Sequence, residues 1–309
     1  MEQERGSGER KNKYLVPASI AFAALVLGGA WVYTTGMKAA PASLGAKEGA
    51  ALIAGTAGHD GGGAIVAQSV ELPIAWGDLG VRMAEAGVLD KEQFAAIYEA
   101  RGGLSGEARV LLENYPKKTL TVTQENAGAL LNVLWAFGLG NKNPILEEGP
   151  MTSSQYGGAG RFASTGGWTL AKGGDAMAHY SAHEFVTLNL AQQQLVERVS
   201  QNIYRPCCDN STYFPDCNHG MAMLGLLELL AANGATEDEM YRAALAVNSF
   251  WFPNEYATIA KYLTSKGINP AQANPKEILG KEYSSASGFQ RVASLVPREE
   301  NQGGGGCGV

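Results

Sequence analysis

Charge is scarce in this chain, and so are the side chains that most often carry chemistry. Only 17% of the 309 residues are charged, the formal net charge is -6, and histidine and cysteine occur four times each. A mildly acidic balance argues against a nucleic-acid partner, because phosphate recognition needs a basic face. Gly-x-x-x-x-Gly-Lys-Ser/Thr is absent, and no apolar strand leads into the glycines at Tyr156-Gly157-Gly158-Ala159-Gly160-Arg161, which argues against a phosphate-cradling loop and for a long ordered surface loop. Without His-Glu-x-x-His there is no zinc-protease signature, and without Cys-x-x-Cys-His there is no covalent haem site. Gly-x-Ser-x-Gly and kinase patterns are missing as well. Sustained strand alternation is also missing, so the expected fold class is mainly α.

One long apolar run is present. Tyr14 to Thr34 carries no charge over about 20 residues, the length a helix needs to cross a bilayer. Arg5, Arg10, Lys11 and Lys13 precede it, whereas Lys38 alone follows closely. The positive-inside bias places residues 1–13 in the cytoplasm, a single-pass signal-anchor helix at 14–34, and the bulk of the chain outside the cytoplasm. The competing reading is a signal peptide cleaved near Ala40-Pro41-Ala42, whose apolar core would ordinarily be shorter.

Glycine, at 40 residues, exceeds its usual share of about 7%. Part of the excess lies in residues 35–70, which show no periodic apolar face and read as a flexible linker with His59 solvated in it. A helical lobe is expected over 71–140, where Asp90 can cap a helix carrying Phe94, Ile97 and Tyr98, and Gly87 and Gly102 can end helices. Thr121 or Thr123 is the expected cap of a longer helix carrying Leu130, Leu131, Leu134 and Phe137. Residues 141–297 form the second expected lobe, with a Gly-rich loop, a long helix from Ala176 to Tyr204, and a helix from Met221 to Ala232. Thr236-Glu237-Asp238-Glu239 is a capping box that opens a third helix. The tail over 298–309 is Gly-rich and holds Cys307.

Chemistry concentrates in one stretch. Between Arg205 and Gly220 lie Cys207, Cys208, Cys217 and His219, three of the four thiols and one imidazole. Thiols and imidazole suit soft and borderline metals, and thiols also carry redox chemistry. Pro206 stops a helix, whereas Cys217 falls near the start of the next one, with Asp216 or Asn218 available as cap. A helix N-terminus favours an anion and so lowers the pKa of Cys217.

Three readings follow. As a metal site, Cys207, Cys208, Cys217 and His219 give a Cys₃His set for zinc, copper(I) or a similarly thiophilic ion, with Cys307 as a mobile fifth ligand; adjacent cysteines seldom both reach one tetrahedral ion without strain. As an enzyme, the chain is a thiol-disulfide oxidoreductase with Cys217 as nucleophile, His219 tuning it, and Cys207, Cys208 or Cys307 resolving. As a structural module, the four cysteines are disulfide staples, open to three pairings. The metal reading leads, with the membrane and a metal ion or thiol as partners.

His179 and His183 are four apart, on one face if the long helix is real. They lie opposite its apolar positions Phe185, Leu188, Leu195, Val199 and Ile203, so a solvent-exposed pair is expected. About 36 Å of unbroken helix would separate His183 from Cys207, which makes the pair and the cysteine turn separate features. Asn210-Ser211-Thr212 matches a glycan acceptor of secretory proteins.

Overall fold

The computed structural model describes residues 68–99, 102–116, 119–167 and 170–296. The expected membrane span at 14–34, its basic flank, His59 and Cys307 lie outside the described residues. Among the described residues no helix is long and apolar enough to cross a membrane.

The fold is mainly helical, as the sequence indicates. Two short strands were not expected: β1 (Ser69–Leu72) pairs antiparallel with β2 (Leu120–Thr123), Leu72 opposite Leu120. Val70, Leu72, Leu120 and Val122 alternate inward, but four residues are too few for the period to stand out. The pairing also takes Thr121 and Thr123 out of their expected capping role, and it starts two residues inside the expected linker.

Helices α1 (Leu79–Glu85) and α2 (Lys91–Glu99) are bounded by the expected Gly87, Asp90 and Gly102, and a further short helix, α3 (Gly106–Val110), is capped by Ser105. Asp90 Oδ1 accepts from the backbone N–H of Glu92 at 2.9 Å and of Gln93 at 3.0 Å, which satisfies donors a helix start leaves unpaired. Gly87 and Gly102 both adopt positive φ.

The centre of the molecule is a pair of helices, α4 (Ala127–Gly140) and, after the short α5 (Pro144–Glu148) and α6 (Leu190–Ser200), α7 (Asn218–Ala232). Twelve of the fourteen residues of α4 are buried, and twelve of the fifteen of α7. Helices apolar on all sides belong in the middle of a core rather than at its surface. Two glycines let them touch. A Cβ on Gly138 would lie 2.3 Å from the Met221 carbonyl oxygen, and one on Gly225 would lie 2.7 Å from that of Leu134.

Helix α8 (Glu237–Trp251) opens on the expected box, Thr236 and Glu239 capping each other reciprocally. Pro253 then starts α9 (Pro253–Ser265), and α10 (Pro275–Ile278), α11 (Lys281–Ser284) and α12 (Ala286–Leu295) complete the order. Phe252, Tyr256, Ile259, Leu263, Ile278 and Val292 form a second, smaller core there.

The long helix expected over 176–204 is a correction. A 3₁₀ turn (Ala176–His179) is capped by Asp175, Ser181 adopts a positive φ of 52°, and α6 starts afresh at Leu190 from an Asn189–Gln192 capping box. Phe185 and Leu188 pack on the core from a loop, and their spacing with Leu195 and Val199 imitates a helix.

Candidate metal centre

The cysteine turn begins where the chain leaves α6. Tyr204 N–H donates to the Leu279 carbonyl at 2.8 Å, and Cys208 N–H closes a four-residue turn onto the Arg205 carbonyl at 3.3 Å. Pro206 is therefore the second residue of a turn, a position its fixed φ favours, not the end of a helix. The turn is strapped on its far side, because Cys208 O accepts from Ala286 N–H at 2.9 Å and Asp209 Oδ1 accepts from Ser287 N–H at 2.8 Å. That second bond occupies the first turn of α12.

The three sulfurs converge. Sγ of Cys217 lies 3.6 Å from that of Cys207 and 4.0 Å from that of Cys208, and all three fall within 4.8 Å of one another. Among the described residues this is the one group of three or more His, Cys, Asp or Glu side chains that could hold a metal ion. The adjacency of Cys207 and Cys208 is no obstacle, since they are the third and fourth residues of the turn and direct both thiols to one side. All three are free thiols, so the expected disulfide staples are not formed among them.

Cys217 is itself the N-cap of α7, its Sγ accepting from Gly220 N–H at 3.4 Å. The cap expected from Asp216 or Asn218 falls instead to the thiol between them. Asp216 has a different task. Arg205 is fully buried and lies beneath the cluster, donating from Nε to Cys217 Sγ at 3.2 Å and from Nη2 to Asp216 Oδ1 at 2.8 Å. Nη1 donates to the Asn210 carbonyl at 2.9 Å and Nη2 also to that of Phe214 at 3.3 Å. The guanidinium thus pins both limbs of the turn and has no edge free for a substrate anion. Gly220 makes room for it, because a Cβ there would lie 2.4 Å from Nη2.

Electrostatics separate the three thiols. Hydrogen bonds from Cys207 and then Cys208 hold Cys217 far below the ordinary thiol range, helped by His219 and the Arg205 charge. Cys207 moves the opposite way, since its proton is shared with Cys208 and Cys217. Cys208 is pushed up to about 11: its bond with Cys207 pulls down, but its bond with Cys217 and burial outweigh that. Of the three thiols Cys217 is thus the one most favoured as a thiolate, beside the guanidinium and the helix N-terminus.

His219 stands next to the trio without belonging to it. Its ring packs against Phe252, centroids 4.5 Å apart, and Trp251 at 5.9 Å. The Gly-rich loop flanks the turn from another side. Ser164 N–H donates to the Asp216 carbonyl at 3.1 Å, Trp135 Nε1 holds the Ser164 carbonyl at 2.8 Å, and Tyr156 and Phe162 each meet the Phe214 ring at 5.3 Å. Asn210 donates its side-chain amide to Asp216 at 2.9 Å and Thr212 is buried, so the Asn-Ser-Thr motif is committed to the turn.

Residues of the clamp escaped the sequence reading. The sequence suggests Arg205 only as part of the Pro206 helix stop and Asp216 as a cap, and neither role is the observed one; their contacts depend on carbonyls supplied by the folded turn. His179 and His183 are indeed outside the cysteine group, although not for the reason of helix length. Their rings stack at 5.2 Å with Nδ1 of His179 3.0 Å from Nε2 of His183, and burial, then the neighbouring His179, lower the pKa of His183. No family model, curated protein or solved structure matches the chain.

Proposed function

We propose that the protein is a membrane-anchored, extracytoplasmic binder of a thiophilic metal ion, zinc or copper(I), acting in metal handling. The observation that carries this reading is the convergence of Cys207, Cys208 and Cys217 on one point. Arg205 donates to both Asp216 and Cys217 and so favours the ionised form of the Cys217 sulfur that binds a cation. Thiolates are the ligands that select such ions over harder ones. His219 and Cys307 are the proposed additional ligands, the first beside the trio and the second brought by the Gly-rich tail. The anchor at 14–34 and its basic flank support the location. Alkylation tests the binding directly: zinc should slow modification of Cys217 in the reduced full chain, and Cys208→Ser should abolish that protection. Equal rates with and without zinc would defeat the proposal. For topology, an impermeant protease added to cells with the outer barrier opened should digest the region after residue 35.

The 3.6 Å between Cys207 and Cys217 favours a second reading, thiol-disulfide exchange with Cys217 as nucleophile. Cys207 or Cys208 would resolve the mixed disulfide, and His219 would tune the thiolate. Turnover of a small disulfide that disappears in Cys217→Ser and is unaffected by chelator would favour exchange over metal binding.

A further inference from the structure

We infer that His179 and His183 form a second metal site, for a borderline divalent ion of the copper(II) or nickel(II) class, separate from the thiols. The two facing nitrogens are 3.0 Å apart. With metal–nitrogen bonds of 2.0–2.1 Å, that separation corresponds to a ligand–metal–ligand angle of about 95°, the bite of neighbouring corners in a tetragonal site. Imidazole donors of this geometry suit copper(II) and nickel(II).

The bite is set by the backbone, which is what a site needs before its ion arrives. Ser181, at positive φ, reverses the chain between the two histidines, and its N–H donates to the Leu139 carbonyl at 2.8 Å. His183 N–H donates to the Gly140 carbonyl at 2.9 Å, and the His183 carbonyl accepts from Lys142 N–H at 2.7 Å. Ser181 and His183 are thereby fixed to the C-terminal end of α4, and the His179 carbonyl accepts from Ala182 N–H at 3.2 Å to close the turn. The His183 ring is further held by stacking on Phe185, centroids 5.2 Å apart. Both residues are partly exposed, so water can fill the remaining positions of the shell. In the ion-free form the same contact closes as one N–H···N hydrogen bond. An ion binds once the donor ring carries its proton on its other nitrogen, with no proton lost.

The site stands apart from the thiol centre, so its test removes the thiols first. Copper(II) is titrated into the full chain carrying Cys207→Ser, Cys208→Ser, Cys217→Ser and Cys307→Ser, with electron paramagnetic resonance as readout. One copper per chain with coupling to two imidazole nitrogens is expected, and His179→Ala or His183→Ala should each weaken binding at least ~tenfold. His59→Ala and His219→Ala should leave it unchanged. As a second measurement, nickel(II), which does not oxidise thiols, is titrated into the unmodified chain and its His179→Ala and His183→Ala variants, reading the imidazole-bound fraction. Copper or nickel binding that is indifferent to both histidine substitutions would overturn the site, whatever becomes of the thiol reading.

Discussion

The two stretches of α7 are built on opposite principles. Around Gly225 the helix lies against α4 with nothing between backbones but two missing side chains, and its neighbours are apolar. At its first turn the same helix gathers a thiolate, two further thiols, a buried arginine and a carboxylate. The first region is complete as it stands, because apolar burial and close packing need no ligand. The second draws three thiols together beside a buried ion pair, a group that could hold a metal ion. Stability and function are therefore separable along one helix, and substitutions should separate them.

The largest effect should come from the packing end. Gly225→Val would drive methyl groups into the Leu134 carbonyl and Phe137 ring, at a cost of about 3 kcal/mol or more. Urea unfolding with a midpoint near that of the parent would show that the helices can part cheaply. Next comes the clamp. Arg205→Met leaves Asp216, whose side chain is 20% exposed, without its ion pair. About 2–3 kcal/mol is expected, at or below the range for a fully buried pair. Cys217 of that variant should also alkylate more slowly, because the charge that favours its thiolate is gone, and an unchanged alkylation rate would mean the guanidinium does not organise the cluster.

A smaller and pH-dependent effect belongs to the middle of α7. Glu228 is fully buried with Asn141 donating to it, and burial holds its carboxyl well above the usual carboxylate range. The unfolded chain releases this proton near pH 4.5, whereas the folded chain keeps it to higher pH. Its contribution to stability is therefore intact below about pH 4.5 and is lost as pH rises toward the folded value, by up to about 1.4 kcal/mol per pH unit. Glu228→Gln should flatten that dependence and stabilise the protein at about pH 8 relative to parent. Parallel pH–stability curves for the two proteins would contradict the assignment.

The same contrast explains what the sequence disclosed. Signals that are local survive translation into structure: Thr236 with Glu239, Asp90 before α2, and the crowding of three cysteines between Arg205 and Gly220. Signals that depend on distant partners do not. Phe185 and Leu188 repeat like a helix face, but Ser181 and Asn189 break the backbone around them, and both residues reach the core from a loop. Arg205 marks only the start of the cysteine stretch in the sequence, and its role appears once the Asn210 and Phe214 carbonyls surround it. The strands escaped because Val70 and Leu72, like Leu120 and Val122, give only one repeat of alternation each.

Native mass spectrometry of the reduced full chain, with zinc or copper(I) supplied and then removed by chelator, tests the central claim most directly. The account predicts one thiophilic ion per chain, released by chelator and lost in Cys217→Ser, with the melting profile of the chelated protein still cooperative because the α4–α7 core needs no ion. A chain that keeps its metal-free mass at saturating ion, with Cys207, Cys208 and Cys217 all reacting freely, would contradict it.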